Sequence, residues 1–270
     1  MPEDTSVEMP RSSLVHTEDE RDKALIHAVD AVLPELLTLN NVPGLNIAVA
    51  RHGEVVWEGA YGYADATRRA PFTPETVFRS GSMGKTYTAG AIMQLVEQGV
   101  IGLHAPINEY LPFEVRNPLG GPEITVFHLL THTSGLGGDA AGSVFNDPRP
   151  LDEAVRSNIS SDEQPSGDGV PIWAVPAGQR GIYSNLAIAT LGLIVQLANP
   201  ERLSFSDYVE QKIMGPLGMT STRYPPAQSE EHVAPEIWKR MSTGYNPMGG
   251  VWIPTPLVYF EEFPAGGFVS

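Results

Sequence analysis

Ser82 and Lys85 stand three residues apart at the start of an apolar run that continues to Val96. If this run is a helix, that spacing places both side chains on one face, about one turn apart. A serine hydroxyl in the first helical turn lies near the positive end of the helix dipole. A lysine one turn further along can help to remove its proton. The pair therefore predicts a serine nucleophile that forms an acyl-enzyme, in the arrangement Ser-x-x-Lys.

The same stretch partly fits three other interpretations. A serine before a helix often serves only as its N-cap. Gly84-Lys85-Thr86 matches the end of a phosphate-binding P-loop, but Arg79 occupies the place of that motif's first glycine. Ser80 likewise stands where the nucleophile elbow of lipases needs glycine. A nucleotide-binding protein stays open as an alternative, and it predicts ATP binding. It would also need a strand that ends in a magnesium-binding Asp, and we find no such strand in the sequence.

Two further candidate groups lie later in the chain, namely Tyr183 and the pair of His128 and His132. Tyr183 precedes Ser184 and Asn185 at a junction between a loop and an apolar helix. A tyrosine in such a place commonly packs with its hydroxyl bonded to backbone, but it could also shuttle a proton to and from a serine. His128 and His132 have the i, i+4 spacing of metal ligands, yet no third ligand stands out. Hydrogen bonds to loop backbone are the simpler interpretation of the two histidines.

These residues need a scaffold, and hydrophobic periodicity predicts its elements. Residues 82–98 form a helix that ends before Gly99. Residues 45–50 and 55–63 form two strands of a hairpin. Ahead of them, Thr17 opens a helix through a capping box with Glu20, and Pro34 kinks or breaks that helix. Two stretches read as loop-rich, namely residues 137–175, which could wall a site, and residues 225–264.

Composition narrows the class of protein. The chain has 270 residues, 41% of them hydrophobic, which suffices for one large domain or two lobes. Its net charge of −15 repels nucleic acid and anionic membranes, so we expect neither as a partner. Without cysteine there is no disulfide or thiolate chemistry. The sequence shows no membrane-spanning run and no signal peptide, so we expect a cytoplasmic protein as written, or a periplasmic or secreted one if a leader was removed.

Several motifs occur together in a fixed order over residues 18–270. They are Phe78–Ala89 (F-R-x-G-S-x-x-K-x-x-T-A), His128–Leu136 (H-L-L-T-H-T-S-G-L), Pro176–Asn185 (P-G-x…Y-S-N with Ala177 inserted), Pro216–Thr222 (P-L-G-M-x-x-T), Thr243–Tyr245 (T-G-Y) and Ala265–Ser270 (A-G-G-x-x-S). In this combination the chain resembles the serine β-lactamase and penicillin-binding-protein superfamily. It is most similar to the branch of class C β-lactamases, D-alanyl-D-alanine carboxypeptidases and family VIII esterases.

The resemblance implies an α/β (α+β) fold in which an antiparallel sheet flanked by helices accompanies an all-helical lobe, with Ser82 at the base of the cleft between them. We accordingly expect a disordered acidic tail over residues 1–16 and the first part of the sheet lobe over residues 17–80. The helical lobe, with the nucleophile helix and the Tyr-x-Asn loop, follows over residues 81–224. Residues 225–270 then return towards the sheet lobe.

The resemblance also implies roles for individual residues. Ser82 is similar to the nucleophile, and its backbone N–H to one of the two oxyanion donors. Lys85 is similar to the residue that assists deprotonation, Tyr183 to the general base, and Asn185 to the residue that orients the substrate amide. Neither a metal nor an organic cofactor is implied. The implied activity is hydrolysis of an ester or amide, such as a β-lactam, a D-amino peptide or a carboxylic ester. An acyltransferase using the same acyl-enzyme and a non-catalytic penicillin-binding-like receptor stay open.

One part of the family pattern is missing. The third motif, H-x-G or K-T-G on a strand beside the nucleophile, has no plausible match, since Ser242-Thr243-Gly244 aligns with the T-G-Y segment. In the family, later strands carry this motif and complete the sheet. We therefore expect a second polypeptide segment to supply it, because the hairpin would otherwise expose an open edge and an apolar face. Residues 1–270 alone are expected to be inactive and poorly folded.

Overall fold

A computed structural model describes residues 9–137, 143–144, 149–159, 171–225, 230–255 and 259–270. These residues fall into two compact units. The first lies within Met1–Phe78 and Pro235–Pro256, and the second within Arg79–Ala234 and Leu257–Ser270. In the described part of the chain, no helix is both long and apolar enough to cross a lipid bilayer.

The first unit contains one long helix, one short helix and two antiparallel sheets. These elements are β1 (Arg11–Val15), α1 (Glu20–Leu39), β2 (Gly44–Arg51), β3 (Glu54–Asp65), β4 (Ala70–Pro71), α7 (Pro235–Trp238), β6 (Tyr245–Met248) and β7 (Val251–Pro254). The second unit is mostly helical. Its elements are α2 (Lys85–Glu97), α3 (Val126–Leu130), β5 (Ser143–Val144), α4 (Leu151–Ile159), α5 (Asn185–Ala198), α6 (Phe205–Val209) and β8 (Tyr259–Phe260).

The main sheet of the first unit has the strand order β1, β3, β2, with β4 paired to the end of β3. The tight turn between β2 and β3 is possible because His52 and Gly53 both adopt left-handed backbone conformations, at φ 55° and 85°. Helix α1 lies on one face of this sheet and contributes Ile26 and Leu37 to a core with Trp57 and Tyr61. The predicted hairpin is thereby confirmed.

Two expectations for this region are wrong, and one alternative of a third is excluded. Residues 11–15 are not a disordered tail, because they pair with β3 along their whole length, while residues 1–8 lie outside the described range. Helix α1 begins at Glu20 with Asp19 as its N-cap, whose carboxylate accepts a hydrogen bond from Arg21 N, and Thr17 does not cap it. Pro34 does not break the helix, which continues through it to Leu39. Packing against the sheet stabilises it enough to offset the cost of the proline, about 3 kcal/mol.

The second unit is built around α5. This helix is apolar on every side, a pattern typical of a buried helix, and residues 185–195 are all buried. It packs against α2, α3, α4 and α6, and against a short 3₁₀ turn at Phe263–Ala265. Helix α5 is therefore the rigid element to which the other helices of this unit attach.

Two stretches expected to be loops contain regular structure. Residues 151–159 form α4, whose buried residues Leu151, Val155 and Ile159 repeat at helical spacing. The remainder of the expected 137–175 loop lies largely outside the described residues. Residues 245–254 form the hairpin β6–β7, closed by Gly249 and Gly250 with positive φ. The intervening glycine pair signals such a turn, but Pro247 and the short strands conceal it.

Candidate active site

Ser82 lies in a 3₁₀ turn, Gly81–Gly84, that leads directly into α2. Gly81 has a φ of 55°, so the chain enters this turn through a conformation that favours glycine. Gly84 is buried against Tyr224, whose hydroxyl donates a hydrogen bond of 2.7 Å to its carbonyl. A side chain at position 84 would meet that hydroxyl at 2.5 Å, so only glycine fits. The turn is thus anchored through the buried Gly84, while Ser82 itself is exposed.

Lys85, the first residue of α2, directs its ammonium group at three oxygen atoms. Nζ lies 3.0 Å from Ser82 Oγ, 2.6 Å from Asn185 Oδ1 and 2.7 Å from the carbonyl oxygen of Ala265. An ammonium group has three N–H donors, and these three acceptors match them. The side chain is therefore fixed in position, with its positive charge against the serine oxygen.

Tyr183 completes a triangle with these two residues. Its hydroxyl oxygen is 2.6 Å from Ser82 Oγ, and Lys85 Nζ lies 4.8 Å from the centre of its ring. The side chain is 53% exposed, so it is not the packed aromatic of the simpler interpretation. A phenol, a serine hydroxyl and an ammonium group in direct contact can pass a proton between two oxygens beside a fixed positive charge.

The start of α5 holds the other side of the site. Ser184 caps this helix by accepting a hydrogen bond from Ala187 N at 3.1 Å. Asn185 follows as the first helical residue and is only 8% exposed, with its oxygen bound to Lys85. Because residues 185–195 of α5 are all buried, Asn185 and the adjoining Tyr183 are held on a rigid base.

The turn at Phe263–Ala265 forms the third side, and the role of its backbone was not predicted. Thr88, buried on α2, donates a hydrogen bond of 2.6 Å to the carbonyl of Pro264, and Lys85 binds the next carbonyl, that of Ala265. Gly266 then passes so close to the Gly81–Gly84 turn that a Cβ would lie 2.8 Å from the carbonyl carbon of Gly81. The Ala-Gly-Gly sequence was the available signal, since small residues permit such close backbone approach.

The two histidines occupy different environments. Nδ1 of His128 accepts a hydrogen bond from Thr125 N as part of a helix-capping box. The ring of His132 lies 4.9 Å from that of Tyr183, and its Nδ1 accepts from Ser184 N at 3.2 Å. Burial, with a smaller contribution from the charge of Lys85, lowers the pKa of His132 below its usual 6.5. Over the described residues, no group of three or more His, Cys, Asp or Glu side chains is placed to hold a metal ion.

The structure therefore brings together the four side chains that the sequence singled out, Ser82, Lys85, Tyr183 and Asn185. They come from two stretches about 100 positions apart, the start of α2 and the start of α5. Sequence reasoning missed the Ala265 carbonyl and the contact of His132 with Tyr183. A carbonyl group carries no mark in a sequence, and from the sequence we considered the histidine as a metal ligand or a partner of loop backbone, not as a neighbour of Tyr183.

Comparisons with known proteins identify the family and the fold of the chain. A family model described as Beta-lactamase matches residues 29–270. The esterase EstB of Burkholderia gladioli is 34% identical over an alignment of 243 positions, which covers 84% of this chain and 59% of that protein. A beta-lactamase/D-alanine carboxypeptidase structure from Pseudomonas syringae has a TM-score of 0.70 at 25% identity, covering 92% of this chain and 62% of its own. A class C beta-lactamase shares the fold, with a TM-score of 0.71 at 22% identity over 94% of this chain and 63% of its own. The chain thus spans 59–63% of the length of these three proteins.

Proposed function

Because this chain belongs to the beta-lactamase family, we propose that it hydrolyses an ester or amide through an acyl-enzyme on Ser82. The observation that carries the proposal is the contact of Ser82 Oγ with both the Tyr183 hydroxyl, at 2.6 Å, and Lys85 Nζ, at 3.0 Å. A serine that serves only as a helix cap needs neither partner. Here both partners are held by hydrogen bonds and ring contacts of their own.

In the acylation step, Ser82 Oγ attacks the carbonyl carbon of the substrate. The phenolate form of Tyr183 accepts the serine proton as the new C–O bond forms. The ammonium group of Lys85, 3.0 Å from Ser82 Oγ, stabilises the negative charge that moves between the two oxygens. Tyr183 then passes the proton to the departing alkoxide or amine, and the carbonyl re-forms as the acyl-enzyme.

The negative charge on the substrate oxygen needs its own donors during this step. Ser82 N lies in the first turn of the helical segment, where backbone N–H groups have no partner within the helix. It is therefore suited to act as one oxyanion donor, and one such donor is worth about 3 kcal/mol in the transition state. Asn185 is held beside Lys85 and is suited to orient the substrate through its amide group.

Deacylation repeats the sequence with water in the place of serine. Water loses a proton to Tyr183 and attacks the acyl carbon, and the Ser82 oxygen recovers a proton as it leaves. An alcohol or amine at the same point would give acyl transfer. The similarity to EstB, at 34% identity, favours a carboxylic ester as the first substrate to test.

A fluorophosphonate probe and a p-nitrophenyl ester test the proposal together. Intact-protein mass spectrometry should show one adduct, mapped to Ser82, and ester turnover should stop once the adduct has formed. The Ser82→Ala variant should lose both. Product analysis with added methanol separates hydrolysis from acyl transfer. A folded protein at its natural length that neither reacts with the probe nor turns over an ester would instead support a non-catalytic receptor.

We also propose that a further polypeptide segment completes the sheet of the first unit and supplies the third motif. Helix α1 carries a second apolar stripe that faces solvent and consists of Leu25, Val32, Leu36 and Leu39. Within the described part of the chain, β2 is paired on one side only, with β3. A long apolar stripe beside an open strand edge is a surface that folded proteins normally cover.

Substitution of Leu36 by glutamate tests this second proposal at natural length. If the stripe is covered, a buried and unpaired charge should lower the melting temperature by several degrees. The control is Leu217→Glu, since Leu217 in the second unit is 68% exposed. Equal melting temperatures for the two variants, both close to wild type, would show that nothing covers α1.

A further inference from the structure

His132 contacts the backbone or side chain of three consecutive residues, Ile182, Tyr183 and Ser184. Its carbonyl accepts a hydrogen bond of 2.8 Å from Ile182 N, and its Nδ1 accepts one of 3.2 Å from Ser184 N. Between these two bonds, its ring lies against that of Tyr183, with centroids 4.9 Å apart and planes tilted by 33°. One residue therefore fixes the backbone on both sides of the proposed proton carrier, and also its ring.

The backbone of His132 shows that this placement is demanding. Its φ is 57°, in the left-handed region that few residues other than glycine, asparagine, aspartate and histidine enter readily. The conformation directs both the carbonyl and the ring at the segment that carries Tyr183. His128, one helical turn earlier, makes a local capping contact instead. The two histidines of the same loop therefore provide a matched comparison.

We propose that His132 is a positioning residue for Tyr183, and that it performs this role only as a neutral imidazole. This inference rests on the proposed function, in which Tyr183 carries the proton. Nδ1 can accept from Ser184 N only while it carries no proton, so the neutral ring must hold its hydrogen on Nε2. Protonation at Nδ1 would replace this hydrogen bond by two opposed N–H groups and would release the backbone beside Tyr183.

The surroundings of the ring favour the neutral form. In the region that the structure describes, the charged group acting on the His132 ring is the ammonium of Lys85. The titratable side chain whose ring lies against the His132 ring is Tyr183. Burial and the charge of Lys85 both lower the pKa of His132 below its usual 6.5. Acidification should therefore release Tyr183 only below that value, and the protein should keep its positioned phenol at neutral pH.

Two substitutions test the role of the ring in the protein at natural length. His132→Gly accepts the positive φ without strain but removes both side-chain contacts. We expect kcat for a p-nitrophenyl ester to fall about 10–100-fold while KM changes little, because a small displacement of a reacting group costs about that much. His132→Asn also tolerates the left-handed conformation and restores an acceptor near the Nδ1 position. We expect it to recover a large part of kcat.

The matched control is His128→Gln, which keeps the capping box and should behave like wild type. A kcat for His132→Gly within twofold of wild type, or an asparagine variant no faster than the glycine variant, would overturn the inference. If the glycine variant does not fold, the pH profile of His132→Asn decides. The acid limb of kcat/KM that the imidazole contributes should be absent in this variant, and an unchanged limb would refute the proposed role.

A measurement without turnover separates this inference from the proposed function. ¹⁵N NMR of the imidazole should show His132 neutral, with the hydrogen on Nε2, at neutral pH. A wild-type protein that shows this tautomer but does not react with a fluorophosphonate would refute the proposed function alone. An active protein whose His132 carries its hydrogen on Nδ1 would refute the positioning role alone.

Discussion

Replacing Tyr183 by phenylalanine removes one oxygen atom and should almost abolish turnover. The lost hydroxyl lies 2.6 Å from Ser82 Oγ, so the serine keeps Lys85 as a neighbour but loses the group proposed to take its proton. The ring itself is retained, and with it the contacts to His132 and to the Lys85 ammonium. The substitution therefore isolates the chemistry of the phenol from its packing.

The two effects of this substitution differ greatly in size. The lost hydrogen bond joins two exposed side chains, so the free energy of unfolding should change by no more than about 1 kcal/mol. A positioned proton carrier is worth about 10²–10⁴ in rate, or about 3–5 kcal/mol of activation free energy. We therefore expect kcat to fall by at least about 100-fold in a protein that melts within a few degrees of wild type.

The assay is steady-state hydrolysis of a p-nitrophenyl ester, together with the rate of fluorophosphonate labelling of Ser82. Tyr110→Phe is a matched control, because the Tyr110 hydroxyl accepts a hydrogen bond of 2.8 Å from Gly102 N away from the site. It should cost a similar amount of stability and leave kcat unchanged. A Tyr183→Phe variant with kcat within threefold of wild type would remove the phenol from the mechanism and would refute the reasoning.

Further predictions concern the groups around this triangle and the sheet of the first unit. Gly266→Ala would bring a Cβ within 2.8 Å of backbone in the turn that carries the serine, and should reduce kcat about 10-fold or more, whereas Gly181→Ala, with nothing within 4 Å, should be neutral in the same assay. Lys85→Arg should slow fluorophosphonate labelling at least about 100-fold, because a planar guanidinium cannot match three acceptors at 2.6–3.0 Å around one nitrogen. Asp65 has its pKa lowered to about 2, first by the hydroxyl of Thr67. The unfolded value is about 3.9, so this carboxylate stabilises the fold above that pH and ceases to do so as the pH falls towards 2. Thermal melts from pH 5 to pH 2 should therefore show a smaller loss of melting temperature in Asp65→Asn than in wild type, and parallel curves would contradict the assignment.

The features that sequence predicted well are those decided over a few residues. The spacing of Ser82 and Lys85 fixes their common face once the helix forms, and the His52-Gly53 turn fixes the hairpin of β2 and β3. Helix starts are less certain, because neighbouring polar residues compete for the same backbone N–H groups. At α6, for example, Ser204 and not the neighbouring Ser206 accepts the hydrogen bond from Asp207 N. Asp19 likewise caps α1 in place of Thr17.

The features that sequence could not predict depend on contacts between distant parts of the chain. Nothing in the local sequence of Tyr183 distinguishes a packed aromatic from a proton carrier, since the decision lies in a contact with Ser82, 101 residues away. Only the set of family motifs indicated it. The pairing of Arg11–Val15 with β3 is similar, because a short polar strand gains its stability from a partner that the local pattern does not reveal.

The three acceptors of Lys85 combine one local contact with two contacts between distant parts of the chain. One lies in its own turn, one at the start of α5 and one at Ala265, 180 residues further along the chain. The ammonium charge is therefore fixed against Ser82 only after three separate segments of the second unit have packed together. Removal of any one acceptor leaves a donor unmatched and lets the charge move away from the serine oxygen. Conditions that loosen the Phe263–Ala265 turn should consequently reduce the reactivity of Ser82 before they unfold α2 or α5, although this turn contributes no side chain to the proposed chemistry.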